Sequence, residues 1–120
     1  MSPKRHTLSK DERLHGRNDI SRLVAEGKFG AVPHMKFCFI PENGLPYSRI
    51  LVSVPKKLFK RAVKRNLLKR RLRESYRLQK ETLQEGKGLD IMFVYNTKEI
   101  LTFKEIYGLV GQILAKVQRS

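Results

Sequence analysis

Arg61 to Arg77 read RAVKRNLLKRRLRESYR. At about 100° per residue, Leu68, Leu72 and Tyr76 fall at i, i+4 and i+8, forming the apolar stripe by which a helix lies on a sheet. Arg65, Lys69, Arg73 and Arg77 make a second row at the same spacing beside it, with Asn66 and Arg70 alongside. Like charges four residues apart on a helix repel by roughly 0.2–0.5 kcal/mol per pair, and no glutamate is interleaved in this row to offset them. A merely solvated helix face would intersperse acids. The spacing instead predicts a cationic ridge bordering a core-facing stripe.

The same imbalance extends outward. Between residues 56 and 80 the bases are Lys56, Lys57, Lys60, Arg61, Lys64, Arg65, Lys69, Arg70, Arg71, Arg73, Arg77 and Lys80, against Glu74 alone, so 12 − 1 = +11 of the chain's +15 sits here. Over all 120 residues, 26 Lys and Arg face 11 Asp and Glu. Self-repulsion of that size disfavours the compact state, so a polyanion is the expected partner. Arginine grips phosphate oxygens bidentately and stacks on unpaired bases, and Asn66 can meet a phosphate, a base edge or a 2′-hydroxyl. Each phosphate neutralised on a single strand contributes about −0.7 to the log–log salt slope, so four to six contacts predict roughly −3 to −4.

The flanks of the basic segment read as a single domain over residues 1–120, with residues 1–8 as a basic tail expected to be flexible. Ser9 to Glu12 form a capping-box pattern that Gly16 ends quickly. Asn18 is placed to cap a short helix over Asp19 to Glu26, with Ile20, Leu23 and Val24 as a narrow stripe and Gly27 as the stop. Lys28 to Ala31 reads as an edge strand ended by Pro33, and His34 to Ile40 as a strand with Met35, Phe37 and Phe39 facing the core. Asn43-Gly44 is a turn signal, so Tyr47 to Val54, with Arg49, Leu51 and Ser53 alternating against Ile50, Val52 and Val54, is expected to return antiparallel beside that strand. After Pro55 the basic helix begins between Leu58 and Arg61 and runs to about Leu83. Asp90 to Tyr95 reads as a buried central strand. Thr102 with Glu105 is a capping box for a terminal helix patterned by Phe103, Ile106, Tyr107, Val110, Ile113, Leu114 and Val117. The expected class is α+β, a two-layer αβββαβα sandwich of a small mixed sheet with the long basic helix after the hairpin.

Protein-borne catalysis is not supported by the residue pattern. The single cysteine, Cys38, excludes an internal disulfide, and with His6, His15 and His34 it has no metal-ligand spacing. No activated nucleophile can be assembled, and the acids are scattered rather than convergent. Tyr76, Tyr95, Tyr107 and the phenylalanines sit at core spacing, with Tyr47 beside the turn as the expected exposed exception. No apolar run approaches a membrane span, and the first residues carry no secretory signal pattern, so a cytoplasmic protein without a membrane partner is expected.

Ala62-Val63-x-Arg65-Asn66-x-x-Lys69-Arg70-x-x-Arg73 resembles the arginine-rich signature helix of the protein component of bacterial ribonuclease P, and Ser53-Val54-Pro55-Lys56-Lys57 is similar to that family's passage from strand to helix. The resemblance implies an αβββαβα fold with a left-handed βαβ crossover, against the usual hand. It implies a ribonucleoprotein in which a ribonuclease P RNA carries the catalytic centre and its Mg²⁺ ions, and in which precursor tRNA loses its 5′ leader. Position by position, Lys56, Lys57, Lys60, Arg61, Arg65, Asn66, Lys69, Arg70 and Arg73 would bind RNA. Ile20, Val24, Lys36, Cys38 and Ser53 would line a cleft for the leader, and no obligate protein partner is implied. The chain departs from the family in lacking aromatics at Ile20, Val24 and Cys38, which predicts a weak leader sequence preference because each stacked base contributes about 1–3 kcal/mol. It also departs in having Phe59-Lys60-Arg61 where a glycine is usual. The charge pattern alone leaves open a non-enzymatic ribosomal or assembly protein that binds structured RNA, and a DNA-binding helix without a helix-turn-helix partner.

Overall fold

The computed structural model describes residues 12–14, 16–83 and 88–118. The basic tail and the Ser9 end of the first capping box lie outside them. The elements are α1 (Arg17–Glu26), β1 (Lys28–Val32), β2 (Met35–Ile40), β3 (Arg49–Ser53), α2 (Ala62–Gln79), β4 (Asp90–Tyr95) and α3 (Phe103–Gln118), with a 3₁₀ turn over Lys80–Thr82. None of the described helices is long and apolar enough to cross a membrane.

The four strands form one mixed sheet in the order β1-β2-β4-β3. β1 and β2 form the tight hairpin, joined by Pro33 and His34, with Val32 opposite Met35. His34 has φ 70°; a proline followed by a positive φ has the dihedral signs of a type II turn. The hairpin expected between β2 and β3 does not form. β4 is inserted between them, antiparallel to β2 and parallel to β3. Asn43 and Gly44 do turn the chain, with Gly44 at φ 82°, but the loop serves the strand that comes between. The Asn43 amide donates to Asp90 Oδ1 at 2.8 Å, and its Oδ1 accepts the Leu45 N–H at 2.8 Å. A run as apolar as β4 must be covered on both edges and both faces, and that non-local demand overrides the local turn signal.

Met35, Phe37 and Phe39 of β2, Ile50 and Val52 of β3, and Ile91, Phe93 and Tyr95 of β4 all point to one face and share a core with α2 and α3. Leu68, Leu72 and Tyr76 carry α2 onto it as their spacing requires, and the Tyr76 and Phe93 rings meet at 6.2 Å. The Thr102 and Glu105 capping box is present in both directions: Thr102 N–H donates to Glu105 Oε1 at 3.1 Å, and Glu105 N–H to Thr102 Oγ1 at 3.2 Å. α2 starts at Ala62, later than expected. The preceding segment is held by Phe59, which is buried with its ring 5.9 Å from that of Tyr95.

α1 lies on the opposite face of the sheet, over a second small cluster of Leu14, Leu23, Cys38 and Ile40. It begins one residue before Asn18, with Gly16 as its cap and no side-chain capping bond, so Asn18 is not the cap. Gly27 does end it, by close approach: a Cβ there would meet Leu23 O at 2.4 Å and Cys38 Sγ at 2.6 Å. The backbone at Gly27 is extended. Gly27 is therefore needed for space and not for a left-handed turn.

Candidate nucleic-acid interface

Strand register arranges the outer face of the sheet in cross-strand rows. Arg49, Asp90 and Ile40 make the first, Leu51, Met92, Cys38 and Phe29 the second, and Ser53, Val94, Lys36 and Ala31 the third. α1 closes the first row through an Asp19–Arg49 ion pair of 3.0 Å. It closes part of the second through Leu23, whose carbonyl accepts a hydrogen bond from the Cys38 thiol at 3.3 Å. The third row remains accessible: Lys36 and Ala31 are exposed, Ser53 and Val94 half-buried. This row, with half-buried Ile20 and exposed Val24 on α1, is where the expected leader groove would lie.

Cys38 does not line that groove. Its exposure is 0%, beneath Leu23, and burial pushes its thiol pKa up. An aromatic the sequence reading assigned to the core is instead available: Phe29, opposite Cys38 in the register and on the same face, is 68% exposed. Nothing in β1 covers it, because α1 has already ended at Gly27. Phe103 and Tyr107 are also partly exposed, their rings 5.8 Å apart on the outer side of α3, and Tyr47 is exposed as expected. The alternation of Phe29 and Ala31 against Lys28, Gly30 and Val32 was the available signal, but it identifies the outer face only once the register with β2 is known.

The ridge on α2 is where its spacing places it. Arg65, Lys69 and Arg73 are half-buried along the edge of the apolar stripe, while Asn66 and Arg70 are exposed. Lys56, Lys57, Lys60 and Arg61 are exposed in the segment that leads from Ser53 into the helix. The basic surface therefore runs on from the third row of the sheet. Among the described residues, Arg77 pairs with Glu74, the one acid on α2, and Lys80 with Glu12 at 2.9 Å. No described carboxylate lies within ion-pairing distance of Lys64, Lys69, Arg70 or Arg73.

Besides Arg77, two further arginines of the segment have intramolecular partners. Arg65 Nη1 donates to the carbonyls of Phe59 and Lys60 at 2.7 and 2.8 Å, tying the helix to its approach segment, and Arg71 Nη1 donates to Leu101 O at 2.5 Å. The remaining donors of the Arg65 fork can still address an anion. Burial lowers the Arg73 pKa, and repulsion from Arg13 lowers it further. Arg13 comes near because its segment pairs with β3: Arg13 bridges Ile50, and Leu14 N–H donates to Ile50 O at 2.7 Å. Arg13 thus joins the cationic surface from a distant part of the chain, which no local pattern announces. Among the described residues no group of three or more His, Cys, Asp or Glu could hold a metal ion.

A family model described as Ribonuclease P matches residues 8–118. The Ribonuclease P protein component of Porphyromonas gingivalis strain W83 is 45% identical over 86 residues, 70% of this chain and 63% of that protein, so the match spans less than two thirds of the relative's length. The Ribonuclease P protein component of Borreliella burgdorferi strain ZS7 is 35% identical over 109 residues, covering 89% of this chain and 90% of that one. Among solved structures, the RNase P protein from Thermotoga maritima is similar with a TM-score of 0.75 at 28% identity, covering 88% of this chain and 96% of that chain. The Staphylococcus aureus RNase P protein shares the fold, with a TM-score of 0.75 at 23% identity over 89% of this chain and 94% of that one.

Proposed function

The chain belongs to the ribonuclease P protein family, and from that premise we propose that it is the protein subunit of bacterial ribonuclease P, an endoribonuclease whose catalytic centre is on the partner RNA. The observation that carries this reading is the cationic surface on α2, whose Lys64, Lys69, Arg70 and Arg73 have no described carboxylate to pair with. Phosphates of the ribonuclease P RNA would neutralise it, with Arg65, Asn66, Lys69, Arg70 and Arg73 facing that RNA and Lys56, Lys57, Lys60 and Arg61 bridging toward the substrate. The substrate is precursor tRNA, whose single-stranded 5′ leader lies in the groove of Ile20, Val24, Lys36 and Ser53. Cys38 supports that groove from beneath Leu23 and Phe29 ends it with an aromatic face. The Mg²⁺ ions of the reaction belong to the RNA. This chain supplies orientation and positive potential, which raise substrate affinity without a protein-borne acid or base. The site of action is the cytoplasm, where precursor tRNA is made.

The test is reconstitution with a ribonuclease P RNA, Mg²⁺ and precursor tRNA. At physiological salt the protein should raise the rate of 5′ leader removal. A protein that binds RNA tightly but gives no gain in processing is a structured-RNA-binding module instead.

A further inference from the structure

Arg49 links α1, β3 and β4 through charged hydrogen bonds. Its Nη2 and Nε donate to the Asp90 carboxylate at 2.7 and 2.9 Å, while Nη1 reaches up to Asp19 Oδ2 in the first turn of α1 at 3.0 Å. Asp90 is buried and is also held by the Asn43 amide at 2.8 Å, so the base of this linkage is rigid. The rest of the contact between α1 and the sheet is mainly apolar, Leu23 clustering with Cys38 and Ile40 and with Leu51 and Met92 packed against them. Leu23 is its only buried residue, and its C-terminal end touches Cys38 through the close approach of Gly27. Ahead of the helix Leu14 is buried and its N–H donates to Ile50 O at 2.7 Å, so the chain entering α1 is tethered to β3, and within the helix it is Arg49 that fixes how the first turn sits over the sheet. Ile20, the residue after Asp19, is the part of the groove wall that would move.

We propose that Arg49 is a positioning residue for the leader, clamping the first turn of α1 to the sheet through Asp19 and so setting the width of the groove. The proposal rests on the functional reading above. Arg49 touches no substrate in it; it acts through Asp19. Asp90 holds the guanidinium oriented from below, its hydrogen bond being the main reason the Arg49 pKa is raised. A planar fork can serve both carboxylates at once, whereas a lysine in its place offers one point charge. Asp19 is the partner to alter, because it is the more exposed end of the linkage and lies outside the main core.

The experiment compares reconstituted holoenzymes carrying wild-type protein, Asp19→Asn, Asp19→Glu and Arg49→Lys, each binding precursor tRNA with a long single-stranded leader and with a leader trimmed short. Wild type should bind the long-leader substrate more tightly. Asp19→Asn should cut that leader-dependent gain by roughly fivefold or more, in the range of ordinary coupling between sites, with affinity for the ribonuclease P RNA and thermal midpoint unchanged. Asp19→Glu should retain most of the gain, and Arg49→Lys, if it folds, should lose it. Full retention of the gain by Asp19→Asn overturns the proposal, as does an equal loss for long and short leaders. A wild-type protein with no leader-dependent gain overturns the groove assignment itself, and the clamp with it.

Discussion

Cys38 and Phe29 face each other across β2 and β1 and point to the same side of the sheet, yet one is sealed and the other bare. The difference comes from where α1 ends: Leu23 and Gly27 sit on Cys38, and the chain has turned away before it could cover Phe29. Iodoacetamide should therefore alkylate Cys38 in the native protein roughly a hundredfold or more slowly than in urea, since both burial and a raised thiol pKa suppress the thiolate. Equal rates would mean that α1 does not stay on the sheet. Phe29 carries the opposite expectation. Phe29→Ala should weaken long-leader precursor tRNA by about 1–3 kcal/mol, the worth of one stacked base, and leave affinity for the ribonuclease P RNA unchanged. Filter binding of the two RNAs separates these effects, and an unchanged leader affinity would remove Phe29 from the groove.

At the scale of elements, α2 was legible almost residue by residue, because its apolar and cationic rows both follow from helical period alone. Leu72→Asp should abolish the cooperative thermal transition, since it places a charge at a fully buried position. Arg70→Ala, at an exposed position, should leave the midpoint within a few degrees and reduce affinity for the ribonuclease P RNA. Arg65→Ala belongs to neither class: it removes the bonds to Phe59 and Lys60 and should cost stability of about 1–2 kcal/mol together with RNA affinity. Denaturant melts of the three variants check this ordering. The pairing of β2 with β3 was misread because a turn signal reports only that the chain bends, not what it bends around. Which strand enters the gap depends on β4, whose Asp90 lies 47 residues downstream of Asn43. The start of α1 was also misread: Asn18 looked like the cap, but the helix already begins at Arg17 with Gly16 as its cap, and Asp19 in its first turn is held by Arg49 on the sheet. Of the residues expected to line the leader groove, Lys36 and Ser53 share one cross-strand row with Val94, as strand alternation requires. The burial of Cys38 and the exposure of Phe29 depend on where α1 lies.

The whole molecule carries +15, and Lys56, Lys57, Lys60, Arg61, Lys64 and Arg70, all exposed, place much of that charge on α2 and the segment leading into it. Work done against this field is part of the cost of folding, and a bound polyanion returns it. The isolated protein should therefore be most stable in the presence of its partner. A ligand binding only the native state at about 100 times its dissociation constant contributes roughly 2.7 kcal/mol, which for a domain of this size raises the thermal midpoint by about 10 °C. Short single-stranded RNA should produce that shift at low salt and lose it as sodium chloride is raised, while an uncharged osmolyte at matched osmolarity should stabilise with little dependence on salt. Replacing Lys64, Lys69 and Arg70 together by glutamine sharpens the test. If mutual repulsion on α2 is real, the triple variant melts higher than wild type without RNA and gains less from it. If it melts lower, those side chains stabilise the native fold by contacts of their own, and the ridge is not held in readiness for phosphate.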